Sequence, residues 1–197
     1  MPRGPRNPRG VAPIEQPAAL EVERLFLDTT FVVSAVTESQ PLHEEANRLL
    51  DALAETGATL VVSPLMDLEL PQALANIAGR EAGRDRRAGL ADGRVRRRSA
   101  TMTRAAVERW QRYLETIRWV RAPLEPAIEA APAIMFTTGL RSYDAAMAAT
   151  AIAHRCDAIA TFDVDFGRLH EVDVPLLLTD ARRAGRMRDL RGAARPI

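Results

Sequence analysis

The sequence contains no lysine; all 27 of its basic residues are arginine. A Walker-type phosphate loop needs its lysine, so P-loop nucleotidases are excluded. Schiff-base chemistry requires a lysine amine and is excluded with them. There is one cysteine, Cys156, which rules out an intramolecular disulfide and a thiolate metal cluster. It follows Ala153-His154-Arg155 at an expected helix end, a setting that suits a small buried hydrophobe. Aromatic residues amount to 5%, too few for a grip built on base stacking. Trp110, Tyr113 and Trp119 read as core or dimer-interface residues. No apolar run approaches the roughly 20 residues that span a bilayer, and no secretory segment is evident. A cytoplasmic protein with no membrane partner is expected.

What is present suits a folded domain. The chain has 197 residues, 47% hydrophobic and 27% charged, enough for one full core. The net charge of +1 conceals an uneven distribution. Acids are scattered through the middle, while arginines crowd the N-terminus, residues 79–100 and the C-terminus. Residues 1–21 read as a flexible Pro/Arg-rich arm. Residues 22–180 read as one domain, carrying an Arg-rich insert at 79–100 that is either a loop or a loosely packed helix. Residues 181–197 read as an exposed basic tail.

The informative stretch is Arg24-Leu25-Phe26-Leu27-Asp28-Thr29-Thr30-Phe31. A short apolar run bounded by polar residues predicts a buried strand over 24–28. Further strands are predicted at 59–63, 117–120, 158–161 and 175–178. Helical spacing or capping predicts helices over 31–36, 42–55, 65–78, 101–117, 124–138 and 142–154, with Thr29 or Thr30 capping the first and a kink or break at Pro71. Strands alternating with helices predict an α/β fold with a mostly parallel sheet covered on both faces.

Four carboxylates fall where that topology would collect them. Asp28 and Asp163 follow strands, Glu69 lies early in the helix after the second strand, and Asp144 opens an alanine-rich helix. In an open parallel sheet all of these positions belong to the carboxyl edge, where ligands bind. Several carboxylates in one crevice repel one another, and a divalent cation relieves that repulsion. Oxygen-only ligands point to Mg²⁺ or Mn²⁺. We expect Asp28, Glu69, Asp144 and Asp163 to form the catalytic and metal-binding set, with Asp165 as a supporting ligand. Each has a structural alternative: Asp28 and Asp144 as helix caps, Glu69 as a solvated helix acid, Asp163 and Asp165 as turn formers. His43, His154 and His170 show no ligand spacing.

The ordered set of motifs resembles a PIN-domain ribonuclease of the VapC-like toxin type. The resemblance rests on Leu27-Asp28-Thr29-Thr30-Phe31, on Ser63 followed by Glu69, on Ser142-Tyr143-Asp144-Ala145-Ala146, and on the run Thr161 to Phe166. Thr30 stands where that family usually has Asn or Ser. The resemblance implies a three-layer α/β/α fold, metal-dependent endonucleolytic cleavage of RNA, a homodimer, and an antitoxin that covers the active groove. Within that frame the metal would lower the pKa of a coordinated water for in-line attack. Thr29 or Thr161 would orient a water or a phosphate. Arg84, Arg86, Arg87, Arg96, Arg97 and Arg98, with Arg80 and Arg94, would contact RNA phosphates, form a solvated surface or contact an acidic antitoxin segment.

Two rivals are weighed. Asp163-Val164-Asp165 resembles the nucleophile motif of haloacid-dehalogenase phosphatases, but it falls late in the chain and that class needs a lysine. The other rival is a catalytically inactive PIN scaffold that binds RNA or a protein.

Overall fold

A computed structural model of the chain describes residues 10–15, 22–81, 93–172 and 175–193. Its centre is a sheet of six strands: β1 (Val11–Pro13), β2 (Arg24–Leu27), β3 (Thr59–Val62), β4 (Trp119–Arg121), β5 (Ala158–Ala160) and β6 (Leu176–Thr179). The order is β1-β6-β5-β2-β3-β4, with every neighbouring pair parallel. Parallel strands need crossovers, and helices supply them. These are α1 (Thr29–Val36), α2 (His43–Thr56), α3 (Met66–Glu81), α4 (Gly93–Thr116), α5 (Glu125–Thr138), α6 (Ser142–Ala153), a 3-10 helix (Val164–Glu171) and α7 (Ala181–Ala193). No helix among the described residues is long and apolar enough to cross a membrane.

Strands β2, β3, β5 and β6 are largely apolar and buried because both sheet faces are covered there, whereas the edge strand β4 is exposed along its length. Alternation then divides their side chains between two cores. Leu25, Leu27, Leu60, Val62, Ala158 and Ala160 pack with residues of α1 to α4 on one face. Phe26, Val61, Ile159 and Leu177 pack with α5, α6, the 3-10 helix and Met187 on the other. The result is the expected three-layer α/β/α sandwich. In α6, Ala145, Ala146, Ala148, Ala149 and Ala151 are all buried and belong to the core on the Phe26 face of the sheet.

Several elements depart from the sequence expectation. Within the stretch read as a flexible arm, Val11–Pro13 forms an edge strand paired to Leu177–Thr179. Residues expected to be an exposed tail form α7, which buries Ala184 and Met187 completely. Gly167 permits this: a Cβ there would lie 3.0 Å from the Met187 Cα, so the 3-10 helix and α7 meet at backbone distance. The helix expected from residue 101 begins at Gly93, because Ser99, Ala106 and Trp110 carry a buried stripe through the arginines. Helix α3 runs unbroken through Pro71 to Glu81. Proline there forgoes one backbone bond, while Leu70 and Leu74 on either side are buried.

Chain order locates the site. From β2 the chain moves to β3 and β4 on one side, then returns to β5 on the other side of β2. The sheet therefore reverses direction between β2 and β5, and a crevice opens beyond their carboxyl ends.

Candidate active site

Leu27 pairs with Ala160 in the register of β2 and β5, and the Asp28 backbone N–H extends the pairing to the Ala160 carbonyl at 3.0 Å. Asp28 is thereby fixed at the switch point. It is also the N-cap of α1, in place of the threonines expected there. Its Oδ2 accepts three hydrogen bonds, from the Thr30 N–H at 3.2 Å, the Thr30 hydroxyl at 2.5 Å and the Thr161 hydroxyl at 2.8 Å. No hydrogen bond among the described residues reaches Oδ1. Capping and site geometry are thus properties of one side chain, each using a different oxygen.

Glu69 is handled in the same way. The Thr29 hydroxyl donates to its Oε2 at 2.5 Å. Asp163 caps the 3-10 helix, its Oδ1 accepting the Asp165 N–H at 2.9 Å. Its own N–H donates to the Thr161 hydroxyl at 3.0 Å. Asp144 lies in the first turn of α6, whose N-cap is Arg141. The capping alternative for Asp144 is therefore not realised, although a carboxylate in a first turn interacts favourably with the helix dipole.

These four acids line one pocket of about 670 Å³, together with Thr29, Thr30, Tyr143, Arg141, Phe162 and Arg183. Their electrostatics follow from burial and crowding. Asp28 is pushed up to about 6, chiefly by burial, against the opposing bonds from Thr30 and Thr161. Asp144 is pushed up to about 7 by burial and by the charges of Asp28, Asp163 and Glu69, with Arg141 opposing. Among the described residues no three His, Cys, Asp or Glu side chains are drawn together closely enough to hold a metal ion. The donor set nonetheless suits a hard divalent cation: it is all carboxylate, buried at Asp28, and negative enough to perturb its own members.

Asp165 and the described arginine candidates lie elsewhere. Asp165 does not line the pocket and pairs with Arg168 at 3.3 Å. Arg96, Arg97 and Arg98 are exposed along α4, and Arg80 is exposed near the end of α3. Arg84, Arg86 and Arg87 lie outside the described residues, as does the side chain of Arg94. The hydroxyls of Thr29 and Thr161 are committed to carboxylates, so they position the acids. Sequence reasoning missed Arg141 and Arg183 as pocket residues. The signal for Arg183 was present: Leu178-Thr179-Asp180 ends a strand in an aspartate, as Leu27-Asp28 does.

The family model of the PIN domain matches residues 25–172 of this chain. No curated protein matches the sequence. The fold is similar to a chain in the crystal structure of VapBC2 from Rickettsia felis bound to a DNA fragment from their promoter. The TM-score is 0.51 at 12% identity, over 79% of this chain and 98% of that one. At such identity the likeness is one of fold.

Proposed function

The chain belongs to the PIN domain family, and from that premise we propose that it is a divalent-metal-dependent endoribonuclease acting as the toxin of a toxin–antitoxin pair. One observation carries this reading. Asp28, Glu69, Asp144 and Asp163 line one pocket, where burial and then the charges of the other three acids push Asp144 up to about 7. These four carboxylates would hold Mg²⁺ or Mn²⁺. When bound, the ion would polarise the scissile phosphate and acidify an attacking water.

The protein's own contribution is orientation. Thr30 and Thr161 pin Oδ2 of Asp28 and so present Oδ1 to the pocket. Thr29 does the same for Glu69. Thr30 also accepts the Phe162 N–H at 3.0 Å, which ties the two strand ends together through one hydroxyl. Arg141 favours the ionised form of Asp144. The same proposal includes RNA as the substrate, a homodimer, and an antitoxin covering the acidic groove.

The test is cleavage of RNA with Mg²⁺ or Mn²⁺, repeated with EDTA and with Asp28→Asn. Cleavage should depend on the metal and vanish under both treatments. Cleavage that survives both would contradict the proposal.

A further inference from the structure

An acidic pocket must admit a polyanion, and a cation beside it is needed for that. Among the described residues, two arginines line the pocket, Arg141 and Arg183. The charge of Arg141 acts on Asp144. Arg183 has a different setting. It lies on α7, just past Asp180, which is 7% exposed. Oδ1 of Asp180 accepts the N–H groups of Arg182 and Arg183, both at 3.2 Å, and its Oδ2 accepts Arg183 Nη1 at 3.0 Å. The guanidinium carbon lies 5.8 Å from the centroid of the Phe162 ring. Phe162 in turn stacks on Phe31, with centroids 5.2 Å apart. Phe162 directly follows Thr161, whose hydroxyl holds Asp28. The arginine is therefore bracketed against the strand end that positions the acids.

This bracket has physical consequences. Asp180 engages one of the five N–H groups that a guanidinium carries. The guanidinium lies over the aromatic ring at cation–π distance, a contact that uses none of its N–H donors. A side chain already held on two sides loses little freedom on binding. A planar fork of donors matches phosphate geometry. Arg183 remains about one-third exposed, on a pocket wall shared with Asp28, Asp144 and Asp163.

We propose that Arg183 grips a backbone phosphate of the bound RNA strand, through the N–H groups that Asp180 leaves uncommitted. It is a substrate-positioning residue, and its assignment rests on the nuclease reading above. A merely structural Arg183 would only hold the Asp180 carboxylate that caps α7 and pack on Phe162, with no effect on RNA binding.

Binding of a labelled single-stranded RNA to the full-length protein, in EDTA so that nothing is cut, tests this across a range of salt. Arg183→Gln should weaken binding roughly tenfold and make the log–log salt slope shallower by about 0.7, the value for one phosphate contact on a single strand. Arg183→Lys keeps the charge and loses the fork, so it should preserve the slope while binding several-fold more weakly. Arg186→Gln, at an exposed position on the same helix, should change neither. Wild-type affinity and slope in Arg183→Gln, or an equal loss in Arg186→Gln, would overturn the proposal while leaving the nuclease reading intact. Wild-type protein that neither binds nor cuts RNA would overturn both. Should Arg183→Gln fail to fold, Arg183→Lys decides. Weaker binding at an unchanged melting temperature supports the proposal, and unchanged affinity refutes it.

Discussion

Strand β2 is locked to β5 by an aspartate at each end, and the two locks differ in what surrounds them. At the amino end, Oδ2 of Asp157 accepts the N–H groups of Glu23 at 3.0 Å and Arg24 at 2.8 Å. Arg24 reaches back to the His154 carbonyl at 3.2 Å, and Arg24 and Asp157 act with opposite sign on the neighbouring Cys156. At the carboxyl end, Asp28 is held by three donors on one oxygen, against two at Asp157, but its charged neighbours are mostly other acids. Burial and mutual repulsion raise Asp28 to about 6 and Asp144 to about 7. A compensated carboxylate works as a joint. One whose charge the fold leaves uncompensated is available to a cation.

Substituting the two locks in turn should separate these roles most sharply. On the proposed function, Asp28→Asn should reduce RNA cleavage by more than about 100-fold, since it would remove the proposed metal ligand at the switch point. Asp157→Asn should leave turnover near wild type and cost about 1–3 kcal/mol of stability through lost charge-assisted bonds. Equal effects on cleavage would erase the contrast.

A metal response should come next in size. Only the folded chain gathers the carboxylates, so Mg²⁺ at about 100 times its dissociation constant should add about 2.7 kcal/mol, read as a rise in melting temperature. Asp144→Asn should abolish that rise and leave the metal-free protein as stable as before, or more so. Because Arg141, not Asp144, caps α6, large destabilisation by Asp144→Asn would contradict the geometry.

The pH dependence of the metal-free protein follows from the same two groups. The folded state holds these protons more tightly than the unfolded chain does, so their contribution is complete below about pH 4. It is lost as pH rises through about 6 for Asp28 and about 7 for Asp144. For buried Asp28 the shift from 3.8 to about 6 corresponds to about 3 kcal/mol. Metal-free protein should therefore gain stability from these groups between pH 8 and pH 5, and denaturant titration should show that gain flattened in Asp28→Asn but not in Asp157→Asn.

The smallest effect is expected at Thr161→Val. Losing its bond to Asp28 should cost about 1 kcal/mol and let the Asp28 pKa rise further. The acid limb of the cleavage profile should then move to higher pH. An unmoved limb would mean that Thr161 does not tune Asp28.

Much of this arrangement could be read from the residues, for a physical reason. A strand buried on both faces is a continuous apolar run, and Leu25-Phe26-Leu27 ends in an acid whose place the topology determines. Glu69, Asp144 and Asp163 could be located by the same logic, since strand ends and helix starts of a parallel sheet share one edge. The misses have a common cause. In α7 two fully buried residues, Ala184 and Met187, sit among arginines, a pattern too sparse to announce a packed helix. β1 has three residues inside a Pro/Arg-rich stretch, and its pairing to β6 is a tertiary fact. The threonine bonds to carboxylates depend on register between distant segments: Thr161 meets Asp28 because Leu27 is opposite Ala160. No local pattern encodes that.

The central claim is that the carboxyl-edge acids are poised, by burial and by their own repulsion, for a divalent cation. Calorimetric titration of Mn²⁺ into the metal-free protein at pH 7, in buffers of different ionisation enthalpy, tests it directly. With Asp144 near 7, binding should release a substantial fraction of a proton at pH 7 and almost none at pH 9. Both the binding and the proton release should be lost in Asp28→Asn. No binding, or binding without proton release that Asp28→Asn and Asp144→Asn leave unchanged, would contradict it.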